Sequence, residues 1–498
     1  MKFLEKKSNR IILLIILLIF ALGLALITCR YHADKFLIDD LLSFSLSNTP
    51  GGWASHDNFG WTDSQVFNRF GVIDNPFDFK NVWSNQAGDC HPPLFYLIIH
   101  IVSSIFSSNL TPWHGYLPNI FYFLITSIMI YKFSYKITKD YLISFLIMFI
   151  YIVNPVVLNY VSFIRMYPLV NLLAISFAYN AVDFFDIDKV NNKTYISLSI
   201  ITLLGCLTHY YSYIIYFFIC LVIGLFLLYK KHYKELFLFC ISVLLGIILA
   251  LIIFPSAINH WFNHNHSINA ITNLQSNANT LDRYIDYLKQ SPFKIYTLII
   301  LLIIIILKFK NKNKFTLTQY TLIFTYVAYF LLVGKTSSFV THRYMVPVDA
   351  IMFIGLLTAL FNQIKPYKNI SILILTIFII ASAGFPNIYI KDYKNPISFA
   401  KAHYGDLLII YNDPTWDPNY TNVNAFEFRE YENIYIMNDS LEAKQIKADF
   451  FMYEDAIVYV DHNADLELVK MWLFGSSRFT KLNPTGISTA LYTVYYAS

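Results

Sequence analysis

The sequence predicts an all-α polytopic membrane bundle of about 11–13 transmembrane helices, followed by a small C-terminal extracytoplasmic α/β domain. Three observations carry that prediction. Hydrophobic residues make up 56% of the 498 and charged residues only 14%, with a mean hydropathy of +0.49, whereas soluble domains carry about 25% charged residues. Apolar runs of roughly 18 residues recur up to residue 385, each long enough to cross a hydrocarbon core of about 30 Å. Beyond residue 386 the chain turns polar, and short β-like runs replace the long apolar ones.

"MKFLEKKSNRIILLIILLIFALGLALIT" joins a basic head to an apolar run at 11–28. The run is longer than a secretory signal core and no A-x-A site follows, so it reads as an uncleaved first helix. Further spans fall at 93–131 (composite), 141–158, 167–185, 195–210, 213–229, 236–255, 293–307, 319–333, 345–361 and 370–385. Lys and Arg collect in cytoplasmic loops. With residue 1 inside, the basic clusters at 6–10, 132–139, 189–193, 230–234, 308–314 and 365–368 all fall inside. The loops at 30–92, 159–166, 256–292 and 334–344, and everything after 386, then fall outside. Within 93–131, "LFYLIIHIVSSIF" has only 13 residues and reads as a juxtamembrane helix leading into one true span, for eleven crossings.

In the tail, "DLLIIYND", "NIYIMND", "AIVYVDH" and "TALYTVYYA" read as strands and 463–474 as a helix. The expected domains are a transmembrane domain at 1–385, with its first outer loop at 30–92, and a soluble extracytoplasmic domain at 386–498.

The pI of 8.6 and net charge of +5 come from lysines beside helices, which gives no reason to expect a nucleic-acid partner. Five cysteines without a repeated spacing make neither a disulfide framework nor a zinc pattern. Cys29 and Cys90 share the predicted outer side, and two unrelated thiols is the preferred reading over a bridge. His260, His264 and His266 lack the carboxylate and cysteine company of a zinc site and read as a polar outer loop. The spans contain almost no Asp, Glu, Lys or Arg, where a transporter meets its cargo near the midplane.

The unusual polar residues gather instead at the outer ends of helices: "KFLIDDLLSF", "GDCHPPLFY", "NPVVLNYVSFIRMYP", "LTHYYSY" and "KTSSFVTHRYMVP". Only eight of the 37 basic residues are Arg. A guanidinium grips phosphate through two parallel hydrogen bonds, which an ammonium cannot do. Arg165 and Arg343, beside Tyr167 and Tyr344, therefore read either as phosphate ligands or as interfacial anchors. In the adjacent pair Asp39 and Asp40, repulsion raises one carboxyl toward the range of a general base; two solvated loop acids is the plainer reading. Asp89 and His91 precede two prolines at a helix mouth, where missing N–H groups cost nothing.

In this order, the acidic pair, "DCHPPLFY", "NP…RMY", "LTHY" and "RYMVP" resemble the GT-C glycosyltransferases, nearest the protein mannosyltransferases and aminoarabinose transferases of glycosyltransferase family 39. The resemblance runs over about residues 1–390. It implies a GT-C bundle that moves a sugar from a polyprenyl-phosphate carrier, such as undecaprenyl phosphate, to an acceptor hydroxyl with inversion. By the same resemblance, Asp39 is the general base, with Asp40 beside it where the family often has Glu. Asp89 is a further catalytic acid, and His91 and His342 are substrate contacts. Arg165, Arg343, Lys335, His209, Tyr167 and Tyr344 surround the donor phosphate, His209 being either a site-edge ligand or a structural histidine. No metal ligand is predicted; members of the superfamily differ in using a divalent ion, so Mg²⁺ or Mn²⁺ stays open.

The expected partners are the lipid-linked donor, membrane lipid and a protein, lipid or glycan acceptor, at the plasma (inner) membrane with the site on the extracytoplasmic face. The alternatives are a lipid-linked glycan flippase and an O-antigen polymerase or ligase. In the tail, Asp413, Trp416 and Asp417 in "YNDPTWDP" form either a sugar-contacting loop or a proline-rich turn.

Overall fold

The computed structural model describes residues 2–498 except 34–36, 53–59, 65–66, 68–71, 74, 107–110, 277–279, 295, 312–315, 365–375, 377–395, 414–420, 422–423, 439–449 and 490. The chain forms two compact units. The first comprises Met1–Arg30, Gln86–Ile98 and Gly115–Pro386; the second comprises Tyr31–Asn85, Ile99–His114 and Asn387–Ser498.

The first unit is helical. Among the described residues seven helices are long and apolar enough to cross a membrane: Lys7–His32, Trp113–Thr138, Tyr167–Phe185, Tyr211–Tyr229, Tyr233–Ile253, Leu317–Thr336 and Val346–Ile364. The pair Tyr141–Ile152 and Pro155–Val161, bent by 60°, makes an eighth if it is one span. The expected span at 195–210 is the helix Asn192–Cys206, and that at 293–307 lies in Tyr296–Asn311. Nearly all of 370–385 lies outside the described residues. The composite stretch divides into Leu94–Phe106, of 13 residues, and Trp113–Thr138, of 26, so only the second has spanning length.

The 60° bend has a local cause. Pro155 cannot continue the preceding hydrogen-bond ladder, and Asn154 starts the next helix by accepting from the backbone of Val156 and Val157 at 3.0 and 3.3 Å. Its Nδ2 donates to the Pro292 carbonyl at 3.0 Å, which anchors the corner. Val346–Ile364 is the central helix: 89% of its spanning window is buried, against 11% for Lys7–His32, which is left to lipid. It packs against Tyr167–Ala181 and Leu317–Thr336. Elsewhere Ser199 donates to the Ser242 carbonyl at 2.7 Å, and Gly246 lets two helices approach where a Cβ would meet the Ser199 carbonyl at 2.5 Å.

The second unit holds a six-stranded sheet of β1 (Gly60–Asp63), β2 (Leu407–Asn412), β3 (Asn433–Asn438), β4 (Ala456–Asp461), β5 (Leu482–Ser488) and β6 (Tyr492–Ala497), in the order β1-β3-β2-β4-β6-β5. β2, β3 and β4 are parallel, and β1, β5 and β6 join antiparallel. The parallel strands read as unbroken apolar runs because both faces are covered. Leu408, Ile410, Ile434 and Ile457 pack on one face with Phe67 and Phe428; Ile409, Tyr435 and Val458 pack on the other with Phe450, Val469 and Leu473.

The expected strands and the helix, Leu466–Gly475, are present. β5 was not expected, since Pro484 and Gly486 disguise it, and its irregular pairing lies between Pro484 and Ile487. Nor was β1, which comes from the first loop and pairs Trp61 with Tyr435.

Candidate active site in the first unit

The core of the site is the turn after the Phe79–Gly88 helix. His91 Nδ1 donates to Asp89 Oδ2 at 2.7 Å, which leaves Nε2 as the acceptor; Arg165 Nη2 reaches it at 3.4 Å. Arg165 Nη1 donates to the Tyr96 hydroxyl at 3.3 Å. Pro92 and Pro93 are buried and end where the Leu94–Phe106 helix begins, so Asp89 and His91 sit just outside its first turn. The Leu94 amide donates to the Leu207 carbonyl at 2.9 Å, which fixes that turn to the one bearing His209.

Arg165 is buried in the short link between the Pro155–Val161 and Tyr167–Ala181 helices. Asn119 secures the link by donating to the Phe163 carbonyl at 2.7 Å. Gly115 gives it room, since a Cβ there would collide with Ile164. His209 lies in the turn between Asn192–Cys206 and Tyr211–Tyr229, and its Nδ1 accepts from the Tyr211 amide at 3.0 Å, which leaves Nε2 to carry the proton. Its ring centroid is 5.8 Å from His91 and 5.6 Å from Tyr167.

Tyr344 closes the group, 6.3 Å from Tyr167 and 5.7 Å from Tyr211 between ring centroids. Its carbonyl accepts from the Tyr329 hydroxyl at 2.7 Å. Arg343 donates from Nη2 to the Tyr344 hydroxyl at 3.2 Å, and its guanidinium stands 5.0 Å from that ring and 5.9 Å from Phe339.

Charge follows from this geometry. Burial alone would raise the Asp89 carboxyl, but His91 and then Arg165 hold it well below the usual carboxylate range. Burial, deepened by His91, Arg165 and Arg343, keeps His209 well below its ordinary value and therefore neutral. The residues brought together here carry two guanidiniums and one ionised carboxylate, an excess of positive charge suited to an anion.

One ligand atom each from Asp89, Cys90 and His91 lies within 4.8 Å of the others. In this arrangement the His91 Nδ1 proton is committed to Asp89, and burial with the Asp89 charge raises the Cys90 thiol, where a metal ligand would be thiolate. The three are joined as a hydrogen-bonded set. Cys29 and Cys90 are free thiols. His260 accepts from the Tyr210 hydroxyl at 2.7 Å and donates to the Ala87 carbonyl at 3.1 Å, a tie between the two turns.

Of the expected site residues, Asp89, His91, Arg165, Tyr167, His209, Arg343 and Tyr344 thus form one continuous group. His342 lies beneath it, buried 3.0 Å from Asp349. Lys335 is half-buried in the last turn of Leu317–Thr336. Asp39 and Asp40 belong to the second unit, in the first turn of Ile38–Asn48, where buried Asp40 accepts from the Leu37 amide at 2.9 Å. Trp416 and Asp417 lie outside the described residues. Sequence reasoning missed Tyr96, Asn119, Tyr329 and Asp349. Tyr96 was legible as the last residue of the motif "DCHPPLFY", and Asp349 as an acid just beyond "RYMVP".

One solved structure supports the fold. ArnT from Cupriavidus metallidurans bound to undecaprenyl phosphate matches with a TM-score of 0.53 at 9% identity, over 99% of this chain and 98% of that one. The oligosaccharyltransferase of Archaeoglobus fulgidus, in complex with Zn and sulfate, matches at 0.46 and 9% identity, over 96% and 73%. No curated protein sequence matches the chain. The fold is the GT-C fold, and the protein is a multi-pass membrane protein. Residues 67–397, more than half of the chain, match the EpsG family, and the chain belongs to that family.

Proposed function

We propose that the protein transfers a glycosyl unit from a polyprenyl-phosphate donor to an acceptor hydroxyl, with inversion, at the extracytoplasmic face of the plasma membrane. The observation that carries this reading is the Asp89–His91–Arg165 chain, joined through His209 and Tyr167 to Tyr344 and Arg343. The acceptor oxygen attacks the anomeric carbon as the bond from that carbon to the phosphate oxygen breaks. The electron pair leaves on the phosphate, and the hydroxyl proton passes to a carboxylate base. Arg165, Arg343 and the Nε2–H of neutral His209 stabilise the charge gathering on the leaving phosphate. Asp39 is the proposed base: Asp40 caps its own helix, and Asp89 is held too acidic to take a proton readily.

A second reading, a polymerase or ligase whose acceptor is itself a glycan, is favoured by the family, which is of polymerase or ligase type. The bond formed at the anomeric carbon is the same in kind; in this reading the donor is a lipid-linked oligosaccharide and the acceptor a glycan.

The test is sugar transfer in membranes carrying the wild type or Asp39→Asn, with labelled polyprenyl-phosphate sugars and lipid-linked oligosaccharides as donors. Transfer by the wild type and its loss in Asp39→Asn, at equal protein level, supports the proposal; a ladder of lengthening products selects the polymerase reading. A wild type that transfers from none of these donors defeats both.

A further inference from the structure

Asp349 is an acid on the most deeply buried helix of the first unit. An ionisable group at such a position needs a reason, because a carboxylate out of reach of water is expensive. One oxygen, Oδ2, accepts from His342 Nε2 at 3.0 Å, and both side chains are nine-tenths or more buried. The other, Oδ1, is buried with no hydrogen-bond partner among the described residues, as is His342 Nδ1. Asp349 also lines a cavity of about 20 Å³ with Thr126, Tyr151, Tyr160 and Asn171. That is room for one water among polar groups, which would complete the carboxylate.

The surroundings of the pair are specific. His342 opens the turn His342–Tyr344, so whatever holds His342 holds Arg343 and Tyr344. Its amide is fixed in turn by Gln290 Oε1 at 3.0 Å. On the other side, Tyr151 and Tyr160 flank the Asn154–Pro155 corner that leads into the Arg165 link, and Tyr160 lies 5.7 Å from the His342 ring. Asn171 ties the two sides together, donating to the Tyr151 hydroxyl at 3.2 Å and accepting from the Ala350 amide at 3.0 Å. Both arginine-bearing segments therefore rest on one buried polar network.

We infer that Asp349 is a positioning residue: through His342 and the cavity beside it, it sets the Arg343–Tyr344 turn relative to the link that carries Arg165. The inference rests on the proposed role of the two arginines as donor-phosphate ligands. Asp349 touches no reacting atom.

The experiment uses the full-length purified protein and measures binding of undecaprenyl phosphate, together with donor and acceptor KM in transfer. Asp349→Leu keeps the branched shape, adds some volume and removes the acceptor; it leaves the buried His342 N–H unpaired, so Tm falls, and donor affinity falls about tenfold, the scale of one buried charge-assisted hydrogen bond. His342→Phe gives the same loss, and the double variant binds no worse than either single one, because both remove one interaction. Asp349→Asn, whose amide oxygen still accepts from His342, stays within about threefold of wild type. Donor KM rises in the two disabling variants and acceptor KM does not.

Should Asp349→Leu fail to fold, His342→Phe and Asp349→Asn carry the comparison. Donor binding at the wild-type level in the disabling variants, or additive losses in the double, overturns the inference and leaves the proposed function standing. A wild type that does not bind undecaprenyl phosphate overturns both.

Discussion

Arg165 Nη2 and His91 Nε2 meet at 3.4 Å, across 74 residues of sequence, and His91 passes the contact on to Asp89 at 2.7 Å. The histidine tautomer is thereby set from both sides: Nδ1 gives its proton to the carboxylate, and Nε2 offers its lone pair to the guanidinium. Arg165 is held by this contact and by Tyr96 in an orientation that its own short link could not fix.

Replacing Arg165 by Lys keeps the charge and loses the planar fork. The expected result is a donor KM raised about tenfold or more, from loss of paired charge-assisted hydrogen bonds, with acceptor KM unchanged. Steady-state transfer kinetics check it. An unchanged donor KM would remove Arg165 from the phosphate site.

His209 predicts a pH dependence of stability. Its folded value lies well below the ordinary 6.5, mainly through burial and then through His91, Arg165 and Arg343. Below about pH 6.5 the unfolded chain takes up a proton that the folded protein refuses, so this contribution is intact above that pH and is lost as pH falls toward the folded value. His209→Gln should flatten the decline of Tm between pH 7 and 5 (about the range in which an ordinary histidine titrates). A wild type and variant with parallel Tm profiles would contradict it.

Trp61 holds the first loop to the sheet of the second unit. It pairs across the sheet with Tyr435, and its ring lies 5.4 to 5.9 Å from Tyr435, Phe450 and Tyr453. Trp61→Ala should weaken the attachment by about 1–2 kcal/mol, the worth of such aromatic pairs and the area they cover. Limited proteolysis of the full chain then cuts faster within residues 53–75. An unaltered cleavage rate would mean that β1 is held by its backbone pairing alone.

Hydropathy alone determined the membrane bundle, because a 30 Å core imposes roughly the same length of apolar helix on every span. The short runs "LLIIY", "NIYIM" and "AIVYV" likewise announced strands, which the structure buries on both faces. The polar motifs were legible for the same reason: in a chain this apolar, an arginine or an acid at a helix mouth stands out. Which of them meet was a different matter. Arg165, His91, His209 and Tyr344 come together because the corner at Asn154–Pro155, the Phe163–Asn119 contact and the Tyr329–Tyr344 bond aim separate helix ends at one place. The sequence holds those residues without saying what they touch. The pairing of β1 with β3, across more than 370 residues, and the place of Asp349 under the Arg343 turn were decided only by the tertiary structure. Periodicity reports which face of an element is buried, whereas partners across the chain depend on how all the buried faces close together at once.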